Sequence, residues 1–81
     1  MFTKEEIITK TNTFMVDRLE YEHSLLKPEA RLKQDIGMTS LDALETTIFI
    51  KRTFGFQPQR TDIKTLQTLG ELYDYIERNI K

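Results

Sequence analysis

Thr39-Ser40-Leu41-Asp42-Ala43-Leu44-Glu45-Thr46-Thr47-Ile48-Phe49-Ile50-Lys51-Arg52-Thr53-Phe54-Gly55 carries a helix signal at each end. Thr39 is a good N-cap, because its hydroxyl can accept from an otherwise unpaired amide of the first turn. Asp42 stands three residues on, where the returning acid of a capping box belongs, although Glu or Gln is the commoner choice. Gly55 follows the last apolar residue, where helices end in a left-handed conformation that glycine adopts freely. The side chains of Thr46-Thr47-Ile48-Phe49-Ile50 favour strands, but the caps bracket a helix-length segment and β propensity is the weaker signal. The segment therefore predicts a helix from near Thr39 to Phe54.

At about 100° per residue this helix holds two apolar stripes. Ala43, Thr47, Ile50 and Phe54 cluster on one side, and Leu41, Leu44 and Ile48 lie roughly a third of a turn away. A helix in a small bundle usually needs one such stripe to reach the core. Two readings follow: a central helix buried on two flanks, or a surface strip beside Ser40 that a partner covers.

Outward from this segment the pattern stays helical, with no reliable strand and no internal repeat. Upstream, Thr3 and Glu6 fit a capping box, with Phe2 and Ile7 at the positions of a hydrophobic staple. Ile7, Ile8, Phe14, Met15 and Leu19 then form a helix-spaced face up to about Leu19. A polar stretch from Glu20 to Gln34 follows, with anchors expected at Leu25, Leu26 and Leu32, and with Pro28 placed to open a turn. Downstream, Pro58 marks a loop, and Ile63 and Leu66 predict a short third helix. Thr68 and Glu71 suggest a third capping box, opening a last helix with Leu69, Leu72, Tyr73, Ile76 and Ile80 on its apolar face. The expected fold class is all-α: a small four-helix bundle with a long loop between helices I and II, and a core of Leu26, Leu32, Ile50, Phe54, Leu72 and Ile76.

Composition sets the outer bounds. The 81 residues leave room for one domain, residues 1–81, and a chain this short buries only about 60% of the surface its unfolded form exposes. With no cysteine there is neither a disulfide framework nor a thiolate zinc site. Hydrophobic residues make up 38% and charged residues 31%, too apolar a mix for disorder. Both charge signs are spread along a chain of net charge −1, which disfavours nucleic acid and anionic membranes as partners. The acids of MFTKEEIITK interrupt any signal-peptide core, and no apolar run approaches the roughly 18 residues of a membrane span. A cytoplasmic monomer without stable membrane insertion is expected.

Asp35-Ile36-Gly37-Met38-Thr39-Ser40-Leu41-Asp42 resembles the Asp-Leu-Gly-x-Asp-Ser-Leu-Asp signature of acyl carrier proteins. Leu26-Lys27-Pro28-Glu29-Ala30-Arg31-Leu32 upstream, and Phe54-Gly55-Phe56 and Leu69-Gly70-Glu71-Leu72-Tyr73-Asp74-Tyr75-Ile76 downstream, resemble the same family in order. The resemblance implies the acyl-carrier-protein type of bundle and a carrier rather than an enzyme, serving fatty acid, polyketide or nonribosomal biosynthesis. It also implies a covalent phosphopantetheine arm, taken from coenzyme A, on Ser40, whose thiol holds an acyl or aminoacyl thioester. The implied partners are a phosphopantetheinyl transferase and the acyl-loading and acyl-transfer enzymes. Such a carrier needs no base or metal of its own, because the reactive thiol arrives on the arm.

The partner-binding positions expected on helix II are Leu41, Leu44 and Ile48, from the second apolar stripe beside Ser40, and Asp42, Glu45, Lys51 and Arg52, which match the family's recognition face. Two departures stand out. Thr39 replaces the usual Asp, keeping the cap but losing the charge that helps the transferase. Lys51 and Arg52 are basic where the family's recognition face is acidic, and a near-neutral chain fits a specialised pathway better than ordinary fatty acid synthesis. Read without the family pattern, Ser40 is a second capping residue, Lys51-Arg52 a solvated face and His23 a solvated side chain. The rival function is an unmodified helical adaptor that keeps the fold as a binding surface; a small helix-turn-helix nucleic-acid binder is disfavoured by charge.

Overall fold

Thr3 and Thr39 both act as the sequence predicts. Each accepts the amide of the residue three positions on through its hydroxyl, at 3.1 Å from Glu6 and from Asp42. Each backbone amide in turn donates to that acid's carboxylate, at 2.8 Å for Thr3 and 3.3 Å for Thr39. Two complete capping boxes thus open α1 (Lys4–Asp17) and α2 (Ser40–Phe54) in the computed structural model, which describes residues 1–80. A short α3 (Arg60–Thr65) and α4 (Leu69–Asn79) complete the helices. Their order is α1, a long connection, α2, α3, α4; no strand occurs among the described residues, so the expected all-α class holds.

The last cap differs from expectation. Thr68 accepts the Glu71 amide at 3.2 Å, but the Glu71 carboxylate takes the amide of Gln67 at 2.9 Å instead of that of Thr68. Helix α1 also stops at Asp17, two residues short of Leu19. Glu20 (φ 62) then turns the chain in the left-handed region.

The long connection is more ordered than its polar composition suggests. It contains a 3₁₀ turn at His23–Leu25 and a π-helical turn at Leu32–Ile36. Leu26 and Leu32 anchor it in the core; Leu25, expected as a third anchor, points outward at 39% exposure. The connection is stitched to the start of α4 by the amides of Leu32, Leu69 and Gly70, which donate to Gln67, Ala30 and Pro28 at 2.8, 3.0 and 2.8 Å. Those backbone groups would otherwise be unpaired in an irregular segment.

Helix α1 packs on α4 and α2 on α3. All six expected core residues are buried, joined by Ile7, Met15, Ile63, Leu69, Tyr73 and Tyr75 among others. Each fully buried aliphatic side chain contributes roughly 1.5–3 kcal/mol relative to exposure. Thr46 and Thr47 are buried within α2 because their hydroxyls donate back to the carbonyls of Asp42 (2.8 Å) and Ala43 (3.0 Å). That internal pairing lets a β-favouring run sit in a helix without orphaned polar atoms.

Candidate functional site

Everything at the start of α2 serves to hold one turn still. The π-helical turn ends at Gly37, whose φ of +85° is strained for any other side chain, and the Met38 amide closes on the Leu32 carbonyl at 2.8 Å. At the N-cap of that turn the Arg31 guanidinium pairs with the Asp35 carboxylate at 3.2 Å, while the Arg31 amide donates to it at 2.8 Å. The guanidinium, and then that amide, hold Asp35 below the usual carboxylate range. Thr39 follows in extended conformation as the cap.

The Asp42 carboxylate oxygen that accepts the Thr39 amide also accepts the Tyr21 phenol at 2.7 Å. Burial, and then that bond, push the Tyr21 hydroxyl well above its ordinary value, so the phenol stays a donor. Ser40, the first residue of α2, is exposed, and its hydroxyl has no hydrogen bond among the described residues. The positive end of a 15-residue helix surrounds it, which favours an anion.

The two apolar stripes separate cleanly. Thr47, Ile50 and Phe54 of the first stripe are buried and Ala43 is half-buried, whereas Leu41, Leu44 and Ile48 stand 65%, 41% and 45% exposed. On one side of this strip is a crevice between α2 and α3, with Ser40, Ala43 and Leu44 facing Arg60, Ile63 and Lys64. It encloses about 10 Å³, room for a single water. On the other side an open groove of about 820 Å³ runs between α1 and α2, bordered by Glu45, Ile48 and Arg52. There Phe14 and Phe49 stack at 4.3 Å. Lys51 and Arg52 are exposed in the last turn of α2 and form no ion pair among the described residues.

A family model described as a phosphopantetheine attachment site matches residues 13–76, most of the chain. The acyl carrier protein of Porphyromonas gingivalis is 32% identical over 76 residues, covering 94% of this chain and 97% of that protein. The acyl carrier protein of Thermotoga maritima is 29% identical over 80 residues, 99% of each chain. That of Phytoplasma australiense is 28% identical over 74 residues, covering 91% and 97%. The chain belongs to the acyl carrier protein family. Members are carriers rather than enzymes, their cofactor is covalently attached phosphopantetheine, and their role brings them against biosynthetic enzymes. No helix of this carrier, among the described residues, is long and apolar enough to cross a membrane.

The start of α2 fits that arm: an exposed hydroxyl, a helix N-terminus and two cations of α3 that line the same crevice. Of the positions the sequence singles out, Ser40, Leu41, Leu44 and Ile48 form one exposed, continuous face, with Lys51 and Arg52 at its far end. Glu45 is half-buried on the groove side. Asp42 is half-buried, and its carboxylate is occupied by the cap and by Tyr21. Sequence reasoning misses Tyr21, Arg60 and Lys64. Tyr21 meets Asp42 across 21 positions through an irregular connection, which no periodicity reports. Arg60 and Lys64 have a signal, an i, i+4 pair of like charges on a short helix, but its position against Ser40 comes only from packing.

Proposed function

We propose that this carrier takes its phosphopantetheine on Ser40 and bears an acyl or aminoacyl thioester for the enzymes of a specialised pathway. The observation that carries the reading is the Ser40 hydroxyl, exposed and without a hydrogen bond among the described residues at the first residue of α2. In attachment, the Ser40 oxygen forms a bond to the phosphorus of the phosphopantetheine half of coenzyme A. The bond from that phosphorus to the nucleotide half breaks, and the hydroxyl proton passes to a base of the phosphopantetheinyl transferase. The arm supplies the thiol that this cysteine-free chain lacks. The carrier's own residues present Ser40 and offer the positive end of α2 to the charge that forms there.

Residues 1–81 act as a single carrier domain, in the cytoplasm and as a monomer. The face made by Leu41, Leu44 and Ile48, with Asp42 and Glu45 beside it, meets the loading and transfer enzymes; an exposed apolar strip next to the modified residue supports this. Lys51 and Arg52 supply the charge that turns the carrier from partners built for strongly acidic carriers toward a specialised set.

The test is the intact mass after incubation with coenzyme A and a broad-specificity phosphopantetheinyl transferase, followed by a thiol reagent. The mass should rise by one arm, and all thiol labelling should then belong to that arm. An unchanged mass, with the ordinary carrier in the same tube converted, would transfer the reading to the unmodified adaptor.

A further inference from the structure

We infer that Arg60 and Lys64 hold the phosphodiester formed on Ser40 at the α2–α3 seam. The inference rests on attachment at Ser40. Both cations line the crevice that Ser40 also lines, and both are exposed at its mouth. Their spacing of four residues puts them on one side of α3, and Ile63, buried at 4% exposure, lines the same crevice against α2. The third charge of α3 is engaged elsewhere: Asp62 accepts the Tyr75 phenol at 3.2 Å. Neither Arg60 nor Lys64 forms an ion pair among the described residues.

Two like charges at this spacing repel, and an anion placed between them removes the repulsion. A phosphodiester supplies one negative charge and two free oxygens. That suits a guanidinium fork on one side and an ammonium on the other. The crevice has space for about one water, so the group stays outside it, beside the two cations that line it, and does not enter between the helices. The positive end of α2 acts in the same direction.

The experiment compares apo and arm-loaded protein, without cargo, for wild type and for Arg60→Gln/Lys64→Gln, with intact mass recording the loading of each sample. In low salt the loaded wild type should melt about 1–4 °C above its apo form. In the double variant that rise should fall to the smaller part that the α2 N-terminus supplies, and the ³¹P resonance of the loaded protein should shift away from its wild-type position. Near 1 M salt, where screening acts within about 3 Å, wild type should behave like the variant. A fully loaded variant with the wild-type melting rise and an unmoved ³¹P resonance overturns the inference while leaving attachment standing. A wild-type mass that never rises overturns both.

Discussion

The phenol of Tyr21, in the connection after α1, donates at 2.7 Å to the carboxylate of Asp42, two residues beyond Ser40. The acceptor oxygen is the one that closes the α2 capping box, so the long connection and the first turn of α2 share an atom. Tyr21→Phe removes the donor and keeps the ring. A hydrogen bond to a charged group at a half-buried position makes the expected loss about 1–2 kcal/mol, measured by denaturant unfolding near neutral pH.

The burial of this phenol sets an alkaline limit. Tyr21 is raised by burial and by Asp42, and Tyr73 is pushed up to about 12 by burial. In the unfolded chain both titrate near 10, so above that pH the unfolded state binds fewer protons than the native state, and stability falls. Each tyrosine contributes a slope of about 1.4 kcal/mol per pH unit, beginning near pH 10 and ending as its folded form ionises. Tyr21→Phe should therefore flatten the decline. Parallel wild-type and variant curves would show that Tyr21 is not buried against Asp42 in solution.

Phe54 tests the core end of α2. Its ring meets Phe2 edge-on at 4.9 Å and Phe49 at 5.7 Å, and it is 8% exposed. Phe54→Ala should cost about 3–5 kcal/mol. A loss below about 1 kcal/mol would put the ring at the surface and break the assignment of that face to the core.

How far these features are legible in the sequence depends on whether the cause is local. Thr39, Asp42 and Gly55 mark α2 because capping chemistry lies within a few residues of each helix end. The separation of Leu41, Leu44 and Ile48 from Ile50 and Phe54 is periodicity, again local, although periodicity alone leaves open whether the second stripe is covered. Between Glu20 and Gln34 the decisive contacts are long-range. Amides and carbonyls around Pro28, Ala30 and Leu32 pair with Gln67, Leu69 and Gly70, so a polar sequence becomes an ordered loop and Leu25 is displaced outward. Glu71 shows a local rule with two solutions: its carboxylate can reach either of two adjacent amides, and it takes that of Gln67.

Ile48 separates stability from docking. At 45% exposure its side chain has little to lose on truncation, so Ile48→Ser should change unfolding free energy by less than about 1 kcal/mol. Transfer of cargo to or from a partner enzyme should slow, chiefly through weaker binding. Severe destabilisation would mean that the strip is buried in solution.

Lys51 and Arg52 close α2 as exposed cations with no ion pair among the described residues. Lys51→Glu/Arg52→Glu should improve recognition by enzymes that serve ordinary acidic carriers and change the salt dependence of association. Some stability should be lost as well, by a few tenths of a kcal/mol per residue, because acids oppose the negative end of the helix. Unmoved rates and an unmoved salt dependence would leave both residues as solvated bystanders.

The decisive pair is Thr39 and Ser40. Thr39 caps α2 through its hydroxyl and amide, and so holds Ser40 in the first turn, but it brings no charge to a transferase. Modification by a general transferase should therefore be slow in wild type and faster in Thr39→Asp, which keeps an N-cap oxygen and adds the acid. Ser40→Ala should unfold within about 0.5 kcal/mol of wild type, since the hydroxyl is exposed and unbonded among the described residues, and should never gain the arm. Time-resolved intact mass reads all three proteins in one experiment. If wild type and Thr39→Asp both keep their starting mass under conditions that convert an ordinary carrier, attachment at Ser40 is excluded. The exposed strip of α2 would then serve an adaptor with the same fold.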